Sequence, residues 1–297
     1  MKTIYLNLIF LLLINLNIIG QTKYSTEYKI QYEVEYSMDS LNLESKGTAE
    51  MYLFAGNEFG VFINESRATA EEKMEKFRQR FGSSVQLELG VNNSNNPSDL
   101  NKAMFTNLET GEVKVLQHFG DKDYVYSESQ PVVNWEMTDK TKESMGYQTQ
   151  MAKTHFAGRS YEAWFTMEIP VPAGPYVFNG LPGLIVELYD TENHYHFMMQ
   201  SIEKLEEPKV WELPKSKKLS KEKVVKLQKK IDDNALKSSD YGYMMSQTSG
   251  VMGSTTNADG KITMDIQDKS GQKISKEELK RMYRAQLESR NNPIELE

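Results

Sequence analysis

The chain has no cysteine in 297 residues. That absence excludes disulfide staples, thiolate nucleophiles, thiolate metal centres and a lipid anchor on cysteine, so the fold must rest on core packing. Histidine is scarce at four residues, and no H-E-x-x-H, G-x-S-x-G or phosphate-cradling glycine loop occurs. No pair of carboxylates sits in a setting that suggests acid–base work, so no residue is assigned a catalytic role. An excess of basic charge is missing too: 35 Lys and Arg stand against 42 Asp and Glu, a net charge of −7. Phosphate backbones are repelled by such a surface, and nucleic acid is excluded as a general partner. The one dense basic group, Lys215, Lys217, Lys218, Lys221 and Lys223, borders a helical pattern and reads as a solvated face.

What is present begins with a leader. Residues 1–20 hold a single charge, Lys2, an apolar run from Ile4 to Ile19 and a small Gly20. This is the pattern of an export signal cleaved near Gly20-Gln21. Asn7, Asn15 and Asn17 interrupt the run, which argues against a permanent anchor. No second long hydrophobic run follows, so no transmembrane segment is expected in the mature chain. A periplasmic or outer-membrane-associated location is expected.

Period-two alternation dominates from residue 28 onward. Tyr28, Ile30, Tyr32, Val34 and Tyr36 alternate with charged and polar residues, the signature of a half-buried strand. Further strands are expected at 48–54, 59–63, 102–107, 113–119, 124–127, 135–139, 144–156, 159–168, 183–190 and 194–203. A helix is expected at about 67–81, with Thr69 and Glu72 as a capping box and Met74, Phe77 and Phe81 on one face. The Asn-rich stretch at about 91–101 reads as a loop. The predicted organisation is a signal at 1–20, a main antiparallel β domain at 21–210, and a helical and loop region at 211–297 that covers the sheet. In that last region Val224, Leu227, Ile231 and Ala235 share a helical face, and Ser275 with Glu278 caps a second helix. The fold class is β-rich α+β: a long meander curved into a sheet or half-barrel and covered by helices.

The middle of the chain carries a block of ordered landmarks: Trp135, Gly158-Arg159, Trp164, Pro170, Gly174-Pro175, then Gly180-Leu181-Pro182-Gly183-Leu184-Ile185. This block resembles the GLPGLI family, exported proteins of Bacteroidota without an established activity. The resemblance implies an outer-membrane or TonB-dependent transport setting. Relatives often carry cysteine where this chain has Thr149, so a thiol role does not transfer. Physically, Gly180 and Gly183 read as positions with backbone angles closed to other residues, and Pro182 fixes its own φ. Tyr161, Ala163, Phe165, Met167 and Ile169 are expected to face one way, with Glu162, Trp164, Thr166 and Glu168 opposite. The corner reads as structural, although its N–H groups and Arg159 would suit a carboxylate or phosphate.

Two other groups could carry function. His194, His196 and Met198 alternate, so on a strand they would share a face suited to copper. Histidines at this spacing are more commonly rim residues of a sheet. Tyr28, Tyr32 and Tyr36 could line an apolar groove or simply pack the sheet. Thr255 to Ile266 resembles a calcium loop only at Asn257, Asp259 and Gly260, lacks the terminal carboxylates, and reads better as a hairpin. The leading expectation is a non-enzymatic binding or accessory protein, without a cofactor, for an apolar small molecule or lipid or an outer-membrane protein partner. Copper or other soft-metal handling, and a hydrolase assembled from distant strands, are the alternatives.

Overall fold

The computed structural model describes residues 23–40, 42–81, 98–119, 122–129, 133–213, 216–238, 244, 251–256, 262–267, 272–289 and 294. The leader, most of the Asn-rich stretch and the turn at 257–260 lie outside the described residues.

Twelve strands form one open, curved sheet in the order β12-β6-β5-β4-β3-β2-β1-β11-β10-β9-β8-β7. The six N-terminal strands are β1 (Lys23–Asp39), β2 (Asn42–Ala55), β3 (Phe59–Asn64), β4 (Ala103–Asn107), β5 (Glu112–Phe119) and β6 (Lys122–Ser129). They walk outward from the centre as a meander. A second meander walks inward through β7 (Glu136–Ser144), β8 (Tyr147–Phe156), β9 (Arg159–Thr166), β10 (Leu184–Asp190) and β11 (Tyr195–Glu212). Neighbouring strands are antiparallel except the short β12 (Lys217–Lys218), which runs parallel to β6. The 135–139 and 144–156 stretches therefore divide differently from the sequence pattern: Ser144 closes β7, and Met145-Gly146 makes the turn to β8.

Curvature follows from connectivity. From Ser129 to Glu136 the chain passes from β6 to the far edge of the sheet, ten strand positions away. On a flat sheet that distance would be about 48 Å at about 4.8 Å per strand. Seven residues of fully extended chain reach only roughly 25 Å. The sheet must bend until its two ends approach.

The concave side is filled by the chain itself. Between β9 and β10, residues 167–183 fold back into the hollow and bury Ile169, Val171, Ala173, Tyr176, Val177, Phe178 and Leu181. They meet Ile30, Tyr32, Val34, Tyr36, Phe165, Tyr195 and Phe197 of the strands, so the tyrosines of β1 pack the sheet. Phe178 sits at the centre of an aromatic nest with ring centroids 4.7 Å from Tyr161, 5.2 Å from Phe156 and 6.2 Å from Trp135.

The convex side is covered over its N-terminal half. There Phe54, Val61, Ile63, Phe105, Leu116 and Val125 form a second core under Ala68 of α1 (Glu65–Phe81) and under Tyr24 and Trp211. Tyr24 and Trp211 belong to the ends of β1 and β11, which pair with each other beyond the reach of β2 and fold over this face. The helix starts earlier than its sequence signal: Asn64 Oδ1 accepts the Arg67 N–H at 2.9 Å, so Asn64 is the cap and Thr69 lies inside the helix.

Two more helices follow. α2 (Lys221–Ser238) adds Val224 to the main core, and α3 (Lys276–Ser289) packs Leu279 and Tyr283 against Ala235 and Met244. Ser275 caps α3 by accepting the Glu278 N–H at 3.1 Å, and Tyr283 donates to buried Asp232 at 2.6 Å. The Gly-, Ser-, Thr- and Asn-rich stretch 249–260 reads as loop in the sequence, yet it contains a strand, β13 (Val251–Thr256), which pairs with β14 (Ile262–Gln267).

Candidate functional site

The convex face of β8 to β11 carries a connected row of polar groups. Strand alternation sends Lys153 of β8, Glu162 and Trp164 of β9, Glu187 and Tyr189 of β10, and His196 and Met198 of β11 to this side, because their neighbours Ala163, Leu188, Tyr195 and Phe197 fill the core. Lys153 Nζ lies 2.8 Å from Glu162 Oε1, and the Tyr189 hydroxyl donates to Glu162 Oε2 at 2.8 Å. Glu187 Oε1 meets His196 Nε2 at 2.9 Å, and the rings of Tyr189 and His196 stand edge to face at 5.4 Å. Lys142 of β7 reaches across two strands to Glu187 and lies 4.3 Å over the Trp164 ring.

This row holds its carboxylates ionised. The His196 hydrogen bond, then Lys142, keeps the Glu187 pKa below the ordinary glutamate range. Lys153 and Tyr189 do the same for Glu162, while burial and the Glu162 carboxylate push the Tyr189 phenol up. A general acid needs a carboxyl held protonated, and this row provides the opposite.

At the turn between β10 and β11, Asp190, Glu192 and His194 place one ligand atom each within 4.8 Å of one another. Three such groups could hold a divalent ion. A cation is already there. Arg159, buried at the start of β9, donates from Nη1 to His194 Nδ1 and lies 3.9 Å from Asp190 Oδ1. A guanidinium has no lone pair, so His194 Nδ1 must accept, which uses the nitrogen a metal would need. Asp190 also takes the Glu192 N–H at 3.0 Å and the Tyr195 N–H. The cluster fastens three strand ends electrostatically.

The histidine face therefore divides. His194 turns into the Arg159 cluster, His196 pairs with Glu187, and Met198 lies on the convex face opposite Glu33 and Glu187. The family-type landmarks separate likewise. Trp135 donates from Nε1 to the Asn179 carbonyl at 2.8 Å and clamps the corner. Trp164 belongs to the convex row beneath Lys142, and Gly158 is a hairpin-turn residue with φ 79°. Pro170, Gly180 and Pro182 are exposed, whereas Gly174, Pro175, Leu181, Gly183, Leu184 and Ile185 are buried in the filled hollow. Arg159 is committed to His194 and Asp190.

Trp164 and Thr166 sit opposite the core positions as expected and are nonetheless buried, Trp164 beneath Lys142. Two expectations on this block need correction. Met167 is outside β9 and exposed, because the strand ends at Thr166 and the chain turns. Gly183 has no unusual φ; a Cβ there would stand 2.0 Å from the Thr166 carbonyl oxygen, so close approach dictates the glycine. Lys142, Glu162, Glu187 and Tyr189 had no motif to announce them. Their signal was alternation within strands, legible only once the strand pairing is known.

Residues 125–187 match the family model Porph_ging, protein of unknown function, which occurs in Bacteroidota-type proteins. The match runs from within β6 to within β10, includes the corner and Lys142, Lys153, Glu162, Trp164 and Glu187 of the convex row, leaves out Tyr189, His196 and Met198, and covers less than half of the chain. No curated protein matches the chain. Two solved structures are distantly similar: PNGF-II in the P21 space group, at 11% identity with a TM-score of 0.49, and PNGF-II in the C2 space group, at 12% and 0.46. Each match covers 78% of this chain and 35% of the other, so the chain spans about a third of the length of those proteins.

Proposed function

We propose that this chain is an exported GLPGLI-family protein, periplasmic or outer-membrane-associated, acting as a non-enzymatic accessory protein that engages an outer-membrane or TonB-dependent transport partner through its convex face. The observation that carries this reading is the filling of the hollow by residues 167–183. A half-barrel that carries a lipid needs an apolar cavity of some hundreds of Å³. Among the described residues, two cavities beside Tyr176 and Val177 measure about 10 Å³ each, room for a water molecule. This filling favours a partner that meets the surface. That surface is polar and uncovered over β8 to β11 among the described residues, and its ordered ion pairs suit a register-specific contact.

Native mass spectrometry of the purified protein should show the bare mass. Photocrosslinkers placed at Lys153 and Met198 should capture one defined envelope protein, and crosslinkers at exposed Glu207 should not. A stoichiometric lipid in the spectrum would overturn the reading.

A further inference from the structure

With no cysteine in the chain, its sulfur chemistry rests on methionine alone. The methionines divide sharply in placement. Met51, Met104, Met151 and Met199 are buried at 3% exposure or less, whereas Met137, Met145 and Met167 are more than half exposed. Among the described residues these three stand with only Val210 and Val225 as large apolar side chains open to water. Two of them share a rim of the sheet. Met145 lies in the turn between β7 and β8, Met167 follows the last residue of β9, and the Gln148 N–H donates to Glu168 Oε1 at 2.9 Å, which holds the two turns together.

The backbone gives no reason for methionine at position 145. Met145 has φ 53° and Gly146 has φ 80°, the left-handed pair of a two-residue hairpin turn closed by Ser144 and Tyr147. Asn, Asp and Gly reach that region at little cost, and a long side chain reaches it with strain. Packing returns little for the strain, since Met145 is 51% exposed. A local rule broken without a packing gain marks a functional position. What methionine brings there, and an ordinary turn residue does not, is a thioether.

We propose that Met145 and Met167 form a reversible sulfoxidation site, which takes oxygen from peroxide-class oxidants before the core methionines are reached. The sulfur lone pair attacks one peroxide oxygen, the O–O bond breaks, and the departing hydroxide takes the proton from the transferred oxygen and leaves as water. Sulfur loses two electrons and the peroxide gains them. A dithiol-dependent methionine sulfoxide reductase returns the thioether, with water and a disulfide as products. Exposure makes the exchange harmless to the fold. A sulfoxide at 145 or 167 stays in water, whereas on Met151, paired with Trp164 and buried, the same polar group would enter the core.

The test adds hydrogen peroxide in slight molar excess to the whole protein and follows its proteolytic peptides by mass spectrometry. Met145 and Met167 should each gain one oxygen about tenfold faster than Met151 and Met199, which react only when the fold opens. The melting temperature should not change when both rim residues are sulfoxides. A mixture of the two epimer-specific reductases with dithiothreitol should then remove both oxygens. Met145→Asn should melt at an equal or higher temperature, because asparagine suits the left-handed turn position better. Equal rates at rim and core, a lower melting temperature after rim oxidation, sulfoxides that the reductases leave in place, or a less stable Met145→Asn variant each overturn the proposal.

Discussion

Gly183 and the carbonyl of Thr166 touch so closely that a methyl group on Gly183 would stand 2.0 Å from the oxygen. The contact lies where the chain leaves the filled hollow and joins β10, beside the Leu184 to Thr166 ladder position. Gly183→Ala must push β10 off β9 and should cost about 3 kcal/mol, at the upper end of overpacking effects. Gly180→Ala, at φ 92° with open space around it, should cost about 1 kcal/mol. Urea unfolding of both variants checks the order.

Phe178 is buried to 1% exposure among Trp135, Phe156, Tyr161 and Tyr176. Truncation to alanine should cost about 4 kcal/mol and open a cavity in the middle of the protein. The enlarged hollow should then take up a hydrophobic dye that the wild type excludes, and dye titration with urea unfolding measures both effects.

Glu187 and Glu162 have depressed pKa values in the folded state, through His196 and Lys142 in one case and Lys153 and Tyr189 in the other. A depressed carboxyl contributes stability above its unfolded pKa of about 4.3, and the contribution is lost as pH falls through the lower folded value. Unfolding free energy should therefore fall on acidification through that window. Glu187→Gln should flatten the slope there and change little at neutral pH beyond the loss of a partly exposed pair, about 1 kcal/mol. A pH series of urea melts tests the sign.

Arg159 donates to His194 Nδ1 and lies 3.9 Å from Asp190 Oδ1, so its charge already sits beside the ligand atoms of this cluster. Copper titration followed by calorimetry should give the same weak binding for the wild type and for the protein with His194→Ala and His196→Ala together. Arg159→Met, which removes the resident cation, should destabilise the strand ends by about 3 kcal/mol by leaving Asp190 without its charge partner. A large drop in copper affinity in the double alanine variant would restore a metal role.

Eleven of the twelve sheet strands were legible because alternation in β1, β3, β9 and β10 is strong and the apolar faces are continuous; the short β12, and β13 in a stretch rich in Ser, Thr and Gly, were not. The filling of the hollow was not. Ile169 to Leu181 has no period, since its backbone follows prolines and a short bridge between Ala173 and Asn179. Its burial depends on packing against strands distant in sequence. The convex row was half legible: Glu162 and Trp164 could be sent outward, but pairing them with Lys153 and Lys142 needed the register. His194 was misplaced because alternation assumes a strand, and the strand begins one residue later at Tyr195.

The longest pairing in the sheet joins the first strand to the last of its large strands: Tyr28 meets Lys204, and Lys23 meets Glu212. Until residues 195–212 are available, the central seam cannot close over its full length, from Tyr36 against Tyr195 to Lys23 against Glu212. Such a topology has high contact order and folds slowly. The seam also sets the order of assembly: residues 167–183 can be trapped in the hollow only as β1 and β11 zip together, so the plug and the seam become a single late, cooperative event.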